Sequence, residues 1–255
     1  SATAIDAFAV GVQSQAIAAN SLAFGTQARA GNTDAIAIGF QSQALGTNSV
    51  ALGIRSSSAG TDSTVFGYQA TTTDNYDVAI GTNSAAEGPE ATAIGTNANA
   101  VGAKATAMGT NAYAGGNGAF ALGPGAQANG NNAFAIGTNA IADGDESFAF
   151  GDGADVSTAA TDALATGDGA TATGAYSAAY GEDSKALSNF AYAYGTQATA
   201  MAPNSIASGT DSAATMNNAI ALGTDATSRA DEGIAIGRSA ITGTKSQASV
   251  SIGDN

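Results

Sequence analysis

Glycine returns every 14 residues along this chain, and no other feature limits its possible folds so tightly. Gly11, Gly25, Gly39, Gly53, Gly67, Gly81, Gly95, Gly109, Gly123, Gly137 and Gly151 are each 14 residues apart. One interval of 16 leads to Gly167, 14 resumes through Gly181, Gly195, Gly209, Gly223 and Gly237, and a last 16 reaches Gly253. Eighteen register glycines with two small insertions make residues 1–255 one array, read as a single repetitive domain.

Within each unit the residues before the glycine alternate in size, as in Ser21-Leu22-Ala23-Phe24 and Ala133-Phe134-Ala135-Ile136. Period-2 alternation over four or five residues is the signature of a strand. A second alternating segment follows the glycine, as in Asn97-Ala98-Asn99-Ala100. Further glycines stand seven residues after many of the register ones, at Gly46, Gly60, Gly88, Gly102, Gly116, Gly130, Gly144 and Gly174. Asp6, Asn20, Asp34, Asn48, Asp62, Asn132, Asn204 and Asn218 open the first strand, and Asn and Asp tolerate positive φ better than most residues. A helix fails, since each interior glycine would cost about 1 kcal/mol. Two short strands per 14 residues instead form one coil of a β-solenoid, here about 18 coils. A coil cannot bury its apolar face alone, but stacked coils share a core. Stacking also aligns Gln13, Gln27 and Gln41, and Asn83, Asn97 and Asn111, into amide ladders.

Composition excludes most chemistry. The 255 residues include 63 Ala and 34 Gly but no Cys, His or Trp, and the formal charge is −14. There is thus no thiol, imidazole base, disulfide or zinc-finger ligand set. Seven scattered cations do not make a nucleic-acid footprint, and the apolar runs are too short to span a membrane, so neither partner is expected.

The first strand has a large face (Val10, Phe24, Ile38, Leu52 and the residues two earlier) and a small face (Ala9, Ala23, Ala37, Ala51). Packed sheets sit roughly 10 Å apart, a gap that large side chains fill better than Ala against Ala. The expectation is therefore large residues inside and a stripe of Ala and Ser outside. The reverse would expose a long stripe of Ile, Phe and Val, more than a soluble monomer tolerates. Either arrangement calls for partner chains.

Asn20-Ser21-Leu22-Ala23-Phe24-Gly25, Asn48-Ser49-Val50-Ala51-Leu52-Gly53 and Asn204-Ser205-Ile206-Ala207-Ser208-Gly209 resemble the head repeat of YadA-type trimeric autotransporter adhesins. That repeat reads Asn-Ser-Val-Ala-Ile-Gly, then two further residues and a Ser or Ala, as at Ser42, Ala98, Ala112 and Ala140. The resemblance covers nearly the whole chain. It implies an all-β, left-handed parallel β-roll, a homotrimer, and attachment of a Gram-negative cell to extracellular matrix, other cells or solid surfaces, with autoagglutination. Ser249-Val250-Ser251-Ile252-Gly253 looks like the last head coil before the family's neck, so the stalk and outer-membrane anchor are expected outside this chain. Thr166 and Ser208 in place of large residues, and Tyr176, Tyr180, Tyr192 and Tyr194, suggest local irregularity around 152–210.

No catalytic residue, cofactor or metal site is expected. Asp143, Asp145, Glu146, Asp152, Asp155, Asp162 and Asp168 crowd together, and stacking puts Asp152, Asp168 and Glu182 about 5 Å apart, where like charges repel. A divalent cation would relieve this, but the spacing matches no calcium loop, so the acids are read as solvated corners. Hexapeptide acyltransferases need a period of six and a catalytic His, both missing. An ice-binding array is a rival, with Thr82, Thr96 and Thr110 in one column, but Pro124 and Asp152 interrupt it. A stiff spacer rod is the other. Ligand-contact candidates are Tyr113, Ile141 and Ile241, large side chains in the outward slot of the second strand. Gly25, Gly39, Gly53, Gly81, Gly95, Gly109, Gly137, Gly195, Gly223 and Gly237 are assigned a structural role. The acidic surface argues against polyanions such as heparin and is compatible with basic patches on matrix proteins.

Overall fold

The computed structural model describes residues 1–244 and 248–253. Among them there is no helix, and three-residue strands alternate with two-residue strands. The chain divides into two compact units, Ser1–Gly125 and Ala126–Asn255. In the first unit, strands from Phe8–Val10 to Phe120–Leu122 pair in parallel as a first sheet, and strands from Gln15–Ala16 to Tyr113–Ala114 as a second. Register is set by the repeat: Leu22 lies beside Ile36, Ala23 beside Ala37 and Phe24 beside Ile38. The second unit repeats the plan, with a first sheet from Phe134–Ile136 to Val250–Ile252 and a second from Gln127–Ala128 to Ile241–Thr242. Each is a parallel β-solenoid, as the 14-residue period predicts.

The stretch around 152–210 keeps this register. Phe148 pairs with Leu164 across the two-residue insertion, and Leu164 pairs with Ala178. The extra residues lie at a corner, where the Ala160 amide donates to the Ser157 carbonyl at 2.9 Å. The second insertion lies partly outside the described residues.

Two four-residue turns close each coil. In Gly39-Phe40-Gln41-Ser42 the Ser42 amide donates to the Gly39 carbonyl at 3.3 Å, and Gln41 has φ +57°. In Ala18-Ala19-Asn20-Ser21 the corresponding bond is 3.3 Å and Asn20 has φ +57°. Positive φ at the third position alone marks a type II turn, which favours Pro at the second position. Pro89 and Pro203 occupy that position, before Glu90 and Asn204 with positive φ. The Ser of the repeat closes the turn a second time, since the Ser42 hydroxyl donates to the Gly39 carbonyl at 3.0 Å and that of Ser49 to Gly46 at 2.7 Å. Register glycines serve close approach. Gly39 has φ +137°, and a Cβ there would lie 2.3 Å from the Gly53 carbonyl oxygen.

The facing of the first strand reverses the expectation. Ala23, Ala37, Ala51 and Ala79 are fully buried, and the large residues point out of the roll. The turns explain why. A β-turn brings its end residues within about 7 Å, so the two sheets are held closer than the usual roughly 10 Å. Ala and Ser fit that gap, and Ile or Phe does not. The largest fully buried side chains are only Val65, Val156, Thr72, Thr242 and Asp77.

Asp77 replaces the buried Ser or Ala that ends the turn before the first strand, as at Ser49, Ser63 and Ala91. Its carboxylate accepts from the Asp74 amide at 2.8 Å and the Ala91 amide at 3.0 Å. Burial raises its pKa above the ordinary carboxylate value, against the lowering effect of those bonds. Because the folded state then holds the proton more tightly, stability from this group is present at low pH and lost as pH rises through the raised value. Asp77→Ser, the residue of the same slot at Ser63, removes this component. Subtracting variant from wild-type melting temperatures between pH 3 and pH 7 is expected to leave a difference that favours the wild type most at the acid end.

Candidate functional site

Each coil presents two outer faces, and they differ in chemistry. The first-sheet face is apolar: Ile36 and Ile38, Val50 and Leu52, Val78 and Ile80 in the first unit, and Phe148 and Phe150, Ile220 and Leu222, Ile234 and Ile236 in the second. Phe24 is 51% and Phe66 57% exposed. Phe40, Ile54 and Tyr68, in the turn that follows, add further exposed apolar surface in the first unit. In the second unit Tyr180 stacks on Tyr194 at 4.9 Å, and Phe134 on Phe148 at 5.0 Å. Burial, with Tyr180 and Tyr192 beside it, pushes the Tyr194 hydroxyl pKa above its ordinary value. Within each unit the apolar face runs from coil to coil, and such a face is the kind that soluble proteins cover with a partner.

The second-sheet face is polar. Gln15, Arg29 and Gln43 stand on successive strands, with Gln15 paired to Arg29 and Arg29 to Gln43. Beside them runs the amide ladder of the first corner. Gln27 donates to Gln13 at 2.9 Å, Gln41 to Gln27 at 2.8 Å, and the Arg55 Nε to Gln41 at 3.2 Å. These two columns line a shallow groove of about 750 Å³. A second ladder occupies the other corner, where Asn20 donates to Asp34 and Asn48 to Asp62, each at 2.9 Å. Placing Asn between the Asp residues keeps like charges off adjacent rungs. Asn83, Asn97 and Asn111 form the third ladder, at 3.3 and 3.0 Å.

Tyr113, Ile141 and Ile241 all occupy the outward slot of the second sheet, but they are not neighbours. Tyr113 lies beside Asn99, with its ring over Gly115, and is half-buried. Ile141 is half-buried between Gln127 and Asp155, and Ile241 stands exposed beside Thr227. The acidic run is likewise spread out. Asp152, Asp168 and Glu182 are exposed turn residues, and Asp145 accepts from the Asn131 amide at 2.7 Å. Burial, with Asp143 nearby, raises the pKa of Asp155. No group of three or more acidic side chains among the described residues is placed to hold a metal ion. The groove was missed in the sequence because its residues come from two different slots. Counting charges slot by slot would have found it, since neither slot carries an acid from Gln13 to Arg55.

The signature of the YadA head domain repeat (2 copies) matches residues 2–28, 30–56, 58–84, 86–112, 114–140, 128–154 and 214–240. No curated protein gives a significant match. The crystal structure of the collagen-binding domain of the Yersinia adhesin YadA aligns with 19% identity over 71% of this chain and 82% of that chain, with a TM-score of 0.32. The matched repeats span well over half of the sequence and fall in the register of the coils, so the chain belongs to the YadA head-repeat family and is an adhesin-type head.

Proposed function

We propose that this chain is the head of a trimeric autotransporter adhesin, acting as one domain. Three copies meet along their first-sheet faces and display the polar second-sheet faces outward. The head attaches the cell to extracellular matrix, to other cells or to solid surfaces, joins cells to one another, and works by multivalent binding without catalysis. It is carried on the outer membrane by segments beyond this chain. The apolar first-sheet face carries this reading, because it is a surface that a partner must cover while leaving the opposite face free. Weak sites repeated along the coils of three chains sum to avidity.

Replacing the head by an inert rod of equal length separates an adhesive role from that of a spacer. Cells displaying the rod are expected to lose attachment to matrix-coated surfaces, and attachment kept at wild-type strength would show that the head serves only as a spacer.

A further inference from the structure

We infer that the groove of amides and arginines on the second sheet of the first unit binds an acidic polysaccharide of low charge density. Its acid groups would sit at Arg29 and Arg55, and its hydroxyls at the flanking carboxamides. This deepens the adhesin reading and rests on it.

Charge distribution is the first support. Over residues 1–62 the only acids are Asp6, Asp34 and Asp62, all in the left-handed position of the opposite corner. The groove is therefore locally cationic on a chain whose net charge is −14. The expectation drawn from net charge, that polyanions are disfavoured, does not extend to this face. Neither arginine is engaged by an acid among the described residues. Arg55 uses only its Nε, toward Gln41, and Arg29 makes no side-chain hydrogen bond there. Their remaining donors form planar forks suited to carboxylate or sulfate.

The amides supply the second support. In the ladder Gln27 and Gln41 each spend one N–H and one oxygen lone pair on their neighbours and Gln13 only accepts, which leaves every carboxamide a donor and an acceptor for a ligand. Alternating donors and acceptors match sugar hydroxyls, which do both. A peptide is a poorer fit, because the backbone of this sheet is already paired from coil to coil and no aromatic or apolar pocket opens among the lining residues to anchor a side chain. Spacing is the third support. Arg29 and Arg55 stand two coils apart, about 10 Å at roughly 4.8 Å per strand. A linear chain of alternating neutral and acidic sugars repeats its charge on that length scale. A densely charged polyanion would be repelled by the rest of the chain.

The test titrates the intact chain with a hyaluronan decasaccharide, with dextran, heparin, polyglutamate and single-stranded DNA as comparisons. Arg29→Ala with Arg55→Asn is the diagnostic variant, since Ala85 and Asn83 fill the same two slots in other coils and the fold tolerates them. Gln15→Ser with Gln43→Ser is the second, and it introduces the residue that Ser57 already places in that slot. Saturable binding to hyaluronan is expected, weakening as salt shortens the Debye length and falling by about tenfold or more in the arginine variant. The glutamine variant is expected to bind more weakly without losing its salt dependence. Absence of binding, equal binding by the arginine variant, or tighter binding of polyglutamate, heparin or DNA would overturn the inference. Attachment of head-coated beads to matrix surfaces is measured on the same preparations. If attachment persists without hyaluronan binding, only this inference falls, whereas loss of attachment by the wild type removes the adhesin reading beneath it.

Discussion

Gly95→Ala is expected to unfold the coils on either side of it, with a loss of about 3–5 kcal/mol from combined backbone strain and overpacking. Gly95 has φ +136°, and a Cβ there would lie 2.4 Å from the Gly109 carbonyl oxygen and 2.7 Å from its carbon. Both are backbone atoms, and a hydrogen bond from the Gly109 amide to the Ile94 carbonyl at 2.8 Å holds them against this coil. No rotamer change can relieve the clash. In a solenoid each coil is stabilised by its neighbours, so the damage appears as local opening before global unfolding. Limited proteolysis is expected to cut close to residue 95, and the thermal transition to broaden and fall. Gly153→Asn is the control. Gly153 has φ +62° with nothing within 4 Å of its added Cβ, and Asn83 and Asn97 hold the same turn position. That substitution is expected to leave stability unchanged or slightly raised, because Asn has fewer unfolded conformations to lose.

Adjacent substitutions at residues 79 and 80 are expected to give opposite results. Ala79 is fully buried and Ile80 is 37% exposed on the apolar face. Ala79→Phe places a ring between two sheets that already pack on Ala and Ser, and the chain is expected to lose its β-sheet circular dichroism. Ile80→Asp points into solvent in the single chain and is expected to fold. In the proposed trimer it would insert three unpaired carboxylates into the seam, each costing about 3–5 kcal/mol when desolvated. The variant is therefore expected to be a folded monomer. Were the large residues inside the roll, Ile80→Asp would be the one to unfold.

The solenoid was legible because glycine, the turn residues and the strand alternation all carry one period. Asn and Asp opening the first strand pointed to left-handed geometry at Asp6, Asn20 and Asp34, which the backbone shows. The same geometry at the other corner was less visible, because Gln13, Gln27, Gln41 and Arg55 are not residues that favour positive φ. There the hydrogen bonds to the coils on either side hold the conformation. Facing could not be read from alternation, which gives the two faces of a strand without saying which is buried. Deciding between them needed the separation of the sheets, and that is set by turns only four residues long. The polar groove was hidden for a related reason. Net charge averages over the chain, while Asp34 and Arg29 stand on different edges of the coil.

Light scattering on the chain across a dilution series tests the central claim, that the apolar first-sheet face is a seam between copies. A stable mass of three chains is expected at micromolar concentration, falling to one in Ile80→Asp. A monodisperse wild-type monomer with full β-sheet circular dichroism would contradict it.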